Sequence, residues 1–219
     1  MDFIAILQLV LVIGISYLIG SIPTGYIVVK LCTGQDIRTI GSGSTGATNV
    51  KRVMGKKWFF TVMILDAIKG AIPVLLATFF TTKFSYLGLL PVLAAVCSIL
   101  GHSKSIFLNY TGGKSVATGV GTLLALSWQA GLIIAVIWAS ITWITRYVSV
   151  ASISAAVFYP FLTFLLHYFV EGVPFNISIT HFILVAFTGA VLVYMHRANI
   201  KRLREGTENR FGSKKKAEK

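Results

Sequence analysis

The sequence predicts an all-α integral membrane protein with seven transmembrane helices, and three observations support this. Of its 219 residues, 55% are hydrophobic and only 12% are charged, whereas soluble domains carry about 25% charged residues. Long runs without a charged residue approach or exceed the ~20 apolar residues that a helix needs to cross the hydrocarbon. The Lys and Arg residues lie mainly between these runs and near the C-terminus. Together with a mean hydropathy of +0.79, these observations exclude a soluble enzyme and a disordered chain.

The apolar segments can be located from the positions of the charged residues. They cover residues 3–29, 58–82, 84–103, 115–145, 147–170 and 172–195. The first segment lacks a basic stretch before its apolar part, so we expect a retained span and not a cleaved signal. Pro23 lies near the end of that segment, where the helix either kinks or leaves its last turn open.

The 115–145 run is too long for one span. As a helix, its about 31 residues would extend ~46 Å, against a hydrocarbon core of ~30 Å. It is either one overlong span or two short spans that turn near Ser127. Two spans, with the N-terminus outside, place all 20 Lys and Arg residues except Lys69 and Lys83 on the cytoplasmic side, as the positive-inside rule requires. We therefore predict seven spans with a cytoplasmic C-terminus, of which the short fourth, about residues 115–126, begins partway into the membrane after a re-entrant loop.

The chain is predicted to form one membrane domain, residues 1–203, and a basic cytoplasmic tail, residues 204–219. We expect the lysine-rich end of the tail to be disordered and attracted to anionic lipid. In a soluble protein the net charge of +13 would suggest nucleic acid, but here it follows the membrane topology and no nucleic-acid partner is expected. Cys32 and Cys97 fit no CxxC or Cys/His pattern, so neither a disulfide nor a metal site is predicted.

Asp66 and Lys69 are three residues apart inside an apolar segment. Charged residues within a membrane are energetically costly and are functional candidates by default. The simplest interpretation is an inward-facing ion pair that shapes the site, and direct catalysis or transport are the alternatives.

The first cytoplasmic loop is rich in glycine and small hydroxyl residues from Gly41 to Arg52. Residues 41–46 match the GxGxxG pattern, but a dinucleotide site needs a βαβ unit, which this loop has no room to form. Consecutive exposed N–H groups before a helix N-terminus can still bind an anion, and the Arg52 guanidinium suits phosphate. A polar loop whose basic face contacts anionic lipid is the alternative.

The second loop contains Gly112, Gly113 and Lys114, followed by Ser115. A Walker A loop is excluded because Leu108 stands where its first glycine is required. Two glycines before a lysine still predict a second anion site, although Lys114 is also explained by the positive-inside rule alone.

The third candidate lies at the end of the last span, where His196 and Asn199 share a helix face. His196 would lie at the cytoplasmic edge, where titration near neutral pH is possible. A structural interfacial histidine is the alternative.

Several catalytic patterns are absent from the sequence. No histidine has an aspartate four or five residues later, His-Glu-x-x-His does not occur, and no acidic pair is spaced for two metals. An enzyme of this sequence is therefore expected to work without a metal, a cofactor or a charge-relay pair.

These motifs, in this order, resemble the bacterial integral-membrane glycerol-3-phosphate acyltransferases that use acyl-phosphate, over about residues 14–211. The resemblance is carried by Gly20-Ser21-Ile22-Pro23 with Gly25, Asp36-Ile37-Arg38, Gly41 to Arg52, Asp66 with Lys69-Gly70, Gly101-His102, Gly112-Gly113-Lys114 with Ala117-Thr118, Arg146 to Ser149 with Ala151-Ser152, and His196 to Leu203. The chain differs from the family's usual pattern at Ser44, Ser105, Thr111 and Ser115, where the family usually has Asn, Pro, Lys and Gly.

The resemblance implies seven spans and acyl transfer from acyl-phosphate to the 1-hydroxyl of sn-glycerol 3-phosphate, giving lysophosphatidate and phosphate in phospholipid synthesis. It implies a site in the bacterial inner membrane that faces the cytoplasm. It assigns phosphate binding and activity to Ser42, Arg52, Lys114, His196 and Asn199. Further substrate-binding or pocket-shaping residues are predicted at Gly41, Gly43, Ser44, Gly46, Thr48, Asn49, His102, Gly112 and Gly113.

Both substrates carry a phosphate, which suits three cytoplasmic glycine-rich or basic clusters. Acyl-phosphate has a good leaving group, so positioning the glycerol hydroxyl can supply much of the rate. We expect a substrate phosphate to take the hydroxyl proton and His196 to orient groups. A transporter of phosphate or of a phosphorylated small molecule is the rival prediction, and a lipid-binding structural protein is a third.

Overall fold

The computed structural model describes residues 3–81, 89–171 and 175–211, and within them every regular element is helical. The helices are α1 (Phe3–Ser21), α2 (Thr24–Thr33), α3 (Ala47–Met54), α4 (Lys56–Thr81), α5 (Leu90–Ser103), α6 (Val116–Leu126), α7 (Trp128–Thr145), α8 (Val148–Leu165), α9 (Phe175–Met195) and α10 (Arg197–Arg204). Short 3₁₀ turns occupy Ile37–Thr39 and Ile106–Leu108, and α8 continues as a π-helical turn, Leu166–Val170. The lysine-rich end of the tail lies outside the described residues.

Four described stretches are long and apolar enough to cross a membrane: Ile6–Thr33, Lys56–Phe80, Trp128–Thr145 and Val148–Val170. A fifth is added if Ile179–Met195 and Arg197–Arg204, bent by 55°, count as one span. Helices α5 and α6 are apolar but shorter, with 14 and 11 residues, or ~21 Å and ~17 Å. The described part of the chain is thus an all-helical membrane protein, and the count of seven stays a prediction that requires α5 and α6 as spans.

The first candidate span is interrupted where the proline lies. Helix α1 ends at Ser21, α2 begins at Thr24, and Ile22 and Pro23 between them leave helical geometry. Proline has no N–H to continue the helix ladder. The break predicted near Pro23 is therefore confirmed.

The 115–145 run is divided at the predicted position. Ser127 has an extended backbone between α6 and α7, and its hydroxyl accepts a hydrogen bond from the Ala130 N–H at 3.4 Å. A Cβ on Gly131 would lie 2.8 Å from Leu124 Cδ2, so the first turn of α7 packs directly against α6. The prediction of two helices in this run is confirmed.

Helices α4 and α6 pack with their backbones in contact. A Cβ on Gly70 would lie 2.2 Å from the Thr118 carbonyl oxygen, and one on Gly121 would lie 1.9 Å from that of Ala67. Small residues allow this approach in membrane proteins. It brings the start of α6, and the loop before it, against the charged turn of α4.

Candidate functional site

The buried side chain of Asn49 holds the backbone of the first glycine-rich loop in place. Gly41 and Gly43 have φ values of 63° and 69°, in the left-handed region that favours glycine. From α3, the buried Asn49 accepts a hydrogen bond from Ser42 N (2.9 Å) and donates to the carbonyls of Ile40 (2.9 Å) and Ser44 (3.0 Å). The amide of Asn49 is thus used to shape the loop.

The exposed side of this loop carries the predicted phosphate-binding groups. Gly46 is the N-cap of α3, so the loop leads into a helix N-terminus as expected. Ser42, Thr48 and Arg52 are all exposed, and Thr48 and Arg52 are one turn apart on one face of α3. These groups can therefore contact a ligand on the exposed side of the loop.

The second loop is a compact turn between α5 and α6. The N–H of Gly113 donates to the His102 carbonyl at 3.1 Å, and Ser105 and Thr111 form an isolated antiparallel bridge. Ser115 has a left-handed φ of 57°, and its hydroxyl donates to the Ile99 carbonyl at 2.9 Å. The loop thus holds a fixed shape even though Ser115 stands where the related family usually has glycine.

Lys114 joins this loop to α10. Its Nζ donates to Asn199 Oδ1 at 2.6 Å. Burial lowers the pKa of Lys114, the positive charges of Arg202 and Arg52 lower it further, and only Glu208 opposes them. Lys114 therefore lies in a field of positive charge that an anion would relieve.

His196 occupies the bend between α9 and α10. Its side chain is buried, and Nδ1 lies 2.8 Å from the Leu192 carbonyl oxygen. Because a carbonyl only accepts, Nδ1 carries the proton and Nε2 is left as an acceptor. Burial lowers the pKa of His196, the bond to Leu192 opposes this, and the charge of Lys114 lowers it further, so the neutral ring is favoured.

Glu208 contacts the candidate site, and the sequence analysis missed it because it lies in the segment assigned to the tail. After α10 the chain turns back, and the carboxylate accepts hydrogen bonds from Asn199 Nδ2 (2.6 Å), Ser149 Oγ (2.9 Å) and Arg202 Nε (2.7 Å). Burial alone would raise the pKa of Glu208, but these bonds outweigh it and lower the pKa. The same segment also contains Glu205 and Glu218, so the sequence offered no signal that distinguished Glu208.

The predicted ion pair in α4 is confirmed. Lys69 Nζ lies 2.8 Å from Asp66 Oδ1, and their side chains are 6% and 2% exposed. Thr24 donates a hydrogen bond to the same carboxylate oxygen. His102 also faces Asp66, with its Nδ1 3.6 Å from Oδ1.

The structure groups the predicted site residues unequally. Lys114 and Asn199 are in direct contact, His196 lies one turn before Asn199, and Arg52 is linked to Lys114 by its charge. No hydrogen bond joins Ser42 or Thr48 to Lys114 within the described part of the chain. The substrate-contacting roles of these residues, and those of Asn49, His102 and the glycines, stay predictions.

The chain is similar over nearly its whole length to known acyltransferases. The family model for glycerol-3-phosphate acyltransferase matches residues 10–206. A glycerol-3-phosphate acyltransferase of Nostoc sp. is 42% identical over 216 residues, covering 93% of this chain and 92% of the relative. One of Acaryochloris marina is 43% identical over 214 residues, with coverages of 92% and 91%.

Two crystal structures of PlsY (YgiH), an integral membrane glycerol 3-phosphate acyltransferase, share the fold. The glycerol 3-phosphate form has a TM-score of 0.79 at 38% identity, covering 93% of this chain and 96% of that chain. The lysophosphatidic acid form has a TM-score of 0.78 at 37% identity, with coverages of 93% and 95%. The chain therefore belongs to the glycerol-3-phosphate acyltransferase family of integral membrane enzymes.

Proposed function

We propose that the protein transfers an acyl group from acyl-phosphate to the 1-hydroxyl of sn-glycerol 3-phosphate, giving lysophosphatidate and inorganic phosphate. The observation that carries the proposal is the group of basic side chains at Lys114. Arg202 donates to the carboxylate of Glu208, and the charges of Arg202, Glu208 and Arg52, from separate elements, all act on Lys114. Such a cluster suits two substrates that each carry phosphate.

Lys114 and Arg52 bind phosphate charge in this proposal, with Ser42, Thr48 and the N–H groups before α3 as further donors. Asn199 holds Lys114 in place, since its amide bridges Lys114 and Glu208. Asn49 and the glycines of both loops shape the backbone that presents these groups.

The chemical step needs only one proton transfer. The glycerol hydroxyl oxygen attacks the acyl carbon, the bond from that carbon to the phosphate oxygen breaks, and the hydroxyl proton passes to a substrate phosphate. Arg52 and Lys114 stabilise the departing phosphate. His196 orients the substrate through Nε2, because its Nδ1 is committed to Leu192. Nε2 accepts a hydrogen bond from the hydroxyl that is not acylated, so the proton of the reacting hydroxyl can pass to phosphate.

The proposed topology has seven spans, with the N-terminus outside and both glycine-rich loops and α10 on the cytoplasmic side. The clustering of basic residues in these segments supports this orientation. The enzyme would then reside in the bacterial inner membrane, take glycerol 3-phosphate from the cytoplasm and receive the acyl chain from the lipid.

The test is a reaction of the purified protein in detergent with acyl-phosphate and labelled glycerol 3-phosphate. We expect labelled lysophosphatidate and an equal amount of inorganic phosphate. Acyl-coenzyme A replaces acyl-phosphate in a parallel reaction and should give no product. Product from acyl-coenzyme A alone would overturn the donor assignment.

A second arm uses the protein in sealed liposomes to test the transporter alternative. Uptake of glycerol 3-phosphate without any acylation would overturn the proposed enzyme. The family assignment favours the enzyme, and so does the closed Asp66–Lys69 pair, which is engaged by neighbouring groups.

A further inference from the structure

We propose that Asp66 is a positioning residue that fixes both glycine-rich loops from inside the membrane domain. It acts on the second loop through His102 and on the first through the break between α1 and α2. The inference rests on the proposed function, because the loops matter as the site that binds glycerol 3-phosphate.

The path to the second loop runs through the ring of His102. Nδ1 faces Asp66 Oδ1 at 3.6 Å and the hydroxyl of Thr118 at 3.1 Å. The opposite edge of the ring abuts Gly113, where a Cβ would lie only 2.1 Å from Nε2. The backbone of Gly113 also donates to the His102 carbonyl at 3.1 Å. The ring thus fills the space between Asp66 and the residue directly before Lys114, and its orientation sets the loop's position.

The path to the first loop runs through the start of α2. Thr24, the first residue of α2, donates its hydroxyl hydrogen bond to Asp66, and Lys69 donates to the Ile22 carbonyl at 2.6 Å. The Asp66 carboxylate therefore lies at the positive N-terminal end of α2, and the Lys69 ammonium lies at the negative C-terminal end of α1. Each helix dipole stabilises the charge beside it. Gly25 packs so closely on the first loop that a Cβ would lie 1.9 Å from the Thr45 carbonyl oxygen. A shift of α2 would therefore move the loop.

The side chain of Asp66 is too buried to contact the substrate directly. Its side chain is 2% exposed, and Thr24, Lys69 and His102 surround it. Its effect on activity must pass through these neighbours. The carboxylate oxygens matter as hydrogen-bond acceptors in this proposal, in addition to any charge.

The test compares two neutral double variants that differ only at position 66. Asp66→Asn with Lys69→Met keeps an oxygen that can accept from Thr24 and face His102, whereas Asp66→Leu with Lys69→Met has none. Removing both charges avoids an unpaired buried ion, so both variants should fold. Tyr159→Phe, which deletes a buried hydrogen bond to Leu123 in another part of the protein, is the control and should keep parental kinetics.

We expect the Asn variant to keep KM for glycerol 3-phosphate within about 3-fold of the parent, and the Leu variant to raise it about 10-fold or more at similar thermal stability. A loosened anion loop loses binding in the ground and transition states alike, so kcat should change less than KM. Equal KM values in the two double variants would overturn the proposal.

Two further measurements keep the test decisive. If the Leu variant does not fold, His102→Phe replaces it, because phenylalanine keeps an aromatic ring next to Gly113 and loses both polar contacts of Nδ1. A parental KM in this variant would overturn the proposal. If the parent shows no acylation, the proposed function fails. The inference is then decided by calorimetric titration with glycerol 3-phosphate, which must bind the Leu variant more weakly than the Asn variant.

Discussion

Two polar clusters in this protein contrast in their charge balance. The membrane cluster comprises Thr24, Asp66, Lys69, His102 and Thr118, and the loop cluster comprises Arg52, Lys114, Asn199, Arg202 and Glu208. In the membrane cluster the carboxylate and the ammonium neutralise each other at 2.8 Å. The loop cluster has three cations and one carboxylate, and burial, together with the charges of Arg202 and Arg52, lowers the pKa of Lys114.

The contrast indicates that the membrane cluster stabilises the fold and that the loop cluster binds substrate. A neutral, mutually bonded cluster has nothing to offer a ligand, but it fixes the elements that contribute to it. A cluster with surplus positive charge is incomplete until an anion arrives. Each prediction below tests one side of this contrast, from the largest expected effect to the smallest.

Lys69→Met should lower the stability of the protein most. It leaves Asp66 as a buried, unpaired carboxylate, for which we expect a loss of about 3–5 kcal/mol. Thermal unfolding in detergent measures the effect. Lys56→Met, at the exposed start of the same helix, should unfold at the parental temperature. Equal losses of thermal stability in the two variants would contradict the structural role given to the Asp66–Lys69 pair.

Lys114→Gln should lower kcat/KM for glycerol 3-phosphate about 100-fold, since one preorganised donor to a charged oxygen has about this effect. The matched control is Lys201→Gln, whose side chain is 77% exposed and which should keep near-parental kinetics. Parental activity in Lys114→Gln would place the phosphate elsewhere.

Glu208→Gln should cost about 2 kcal/mol of stability, because it weakens charge-assisted hydrogen bonds with Asn199 and Arg202. The lowered pKa of Glu208 means that the unfolded state binds the proton more readily. The carboxylate's contribution is thus fully present above the ordinary pKa of 4.5 and is lost as the pH falls below it.

Thermal unfolding at several pH values measures this contribution. The difference between the parent and Glu208→Gln should hold from pH 6 to about pH 5 and shrink as the pH falls below 4.5. Glu205→Gln, at an exposed glutamate paired with Lys201 at 3.8 Å, should show no such trend. A constant difference across this range would contradict the role given to Glu208.

His196→Gln should reduce kcat by only about 10-fold, because an orienting residue is partly replaced by an amide and a general base is not. Complete loss of turnover with unchanged glycerol 3-phosphate binding would instead assign it the base role. His167→Gln, in the π-helical turn, is the matched control.

The pH profile of the parent gives a second test of His196. Its pKa lies below the ordinary 6.5, so the ring becomes protonated only as the pH falls below that value. Activity that needs neutral Nε2 should therefore decline on the acid side of pH 6.5 more steeply in the parent than in His196→Gln, in which only protonation of the substrate phosphate, with a pKa of about 6, remains. An identical acid limb in both proteins would assign the decline to another group.

The helices and the ion pair could be predicted because their signals are local. Hydropathy located the apolar segments, helix length against membrane thickness divided the run at Ser127, and spacing paired Asp66 with Lys69. The residues involved are adjacent in the sequence or lie on one helix, and the structure confirms the helix division and the ion pair.

The parts that escaped prediction depend on contacts between distant segments. The hydrogen bonds of Glu208 to Ser149 and Asn199 require the chain to turn back after α10. The wedging of His102 between Asp66 and Gly113 requires the close approach of α4, α5 and α6. Periodicity and charge counts carry no information about such packing.

The most direct test of the account is the affinity of the purified protein for glycerol 3-phosphate, measured by calorimetric titration without an acyl donor. The account predicts one saturable site in the parent, binding at least about 10-fold weaker in Lys114→Gln, and parental affinity in Lys201→Gln. Equal affinity in all three proteins would contradict the claim that the positively charged loop cluster is the substrate site.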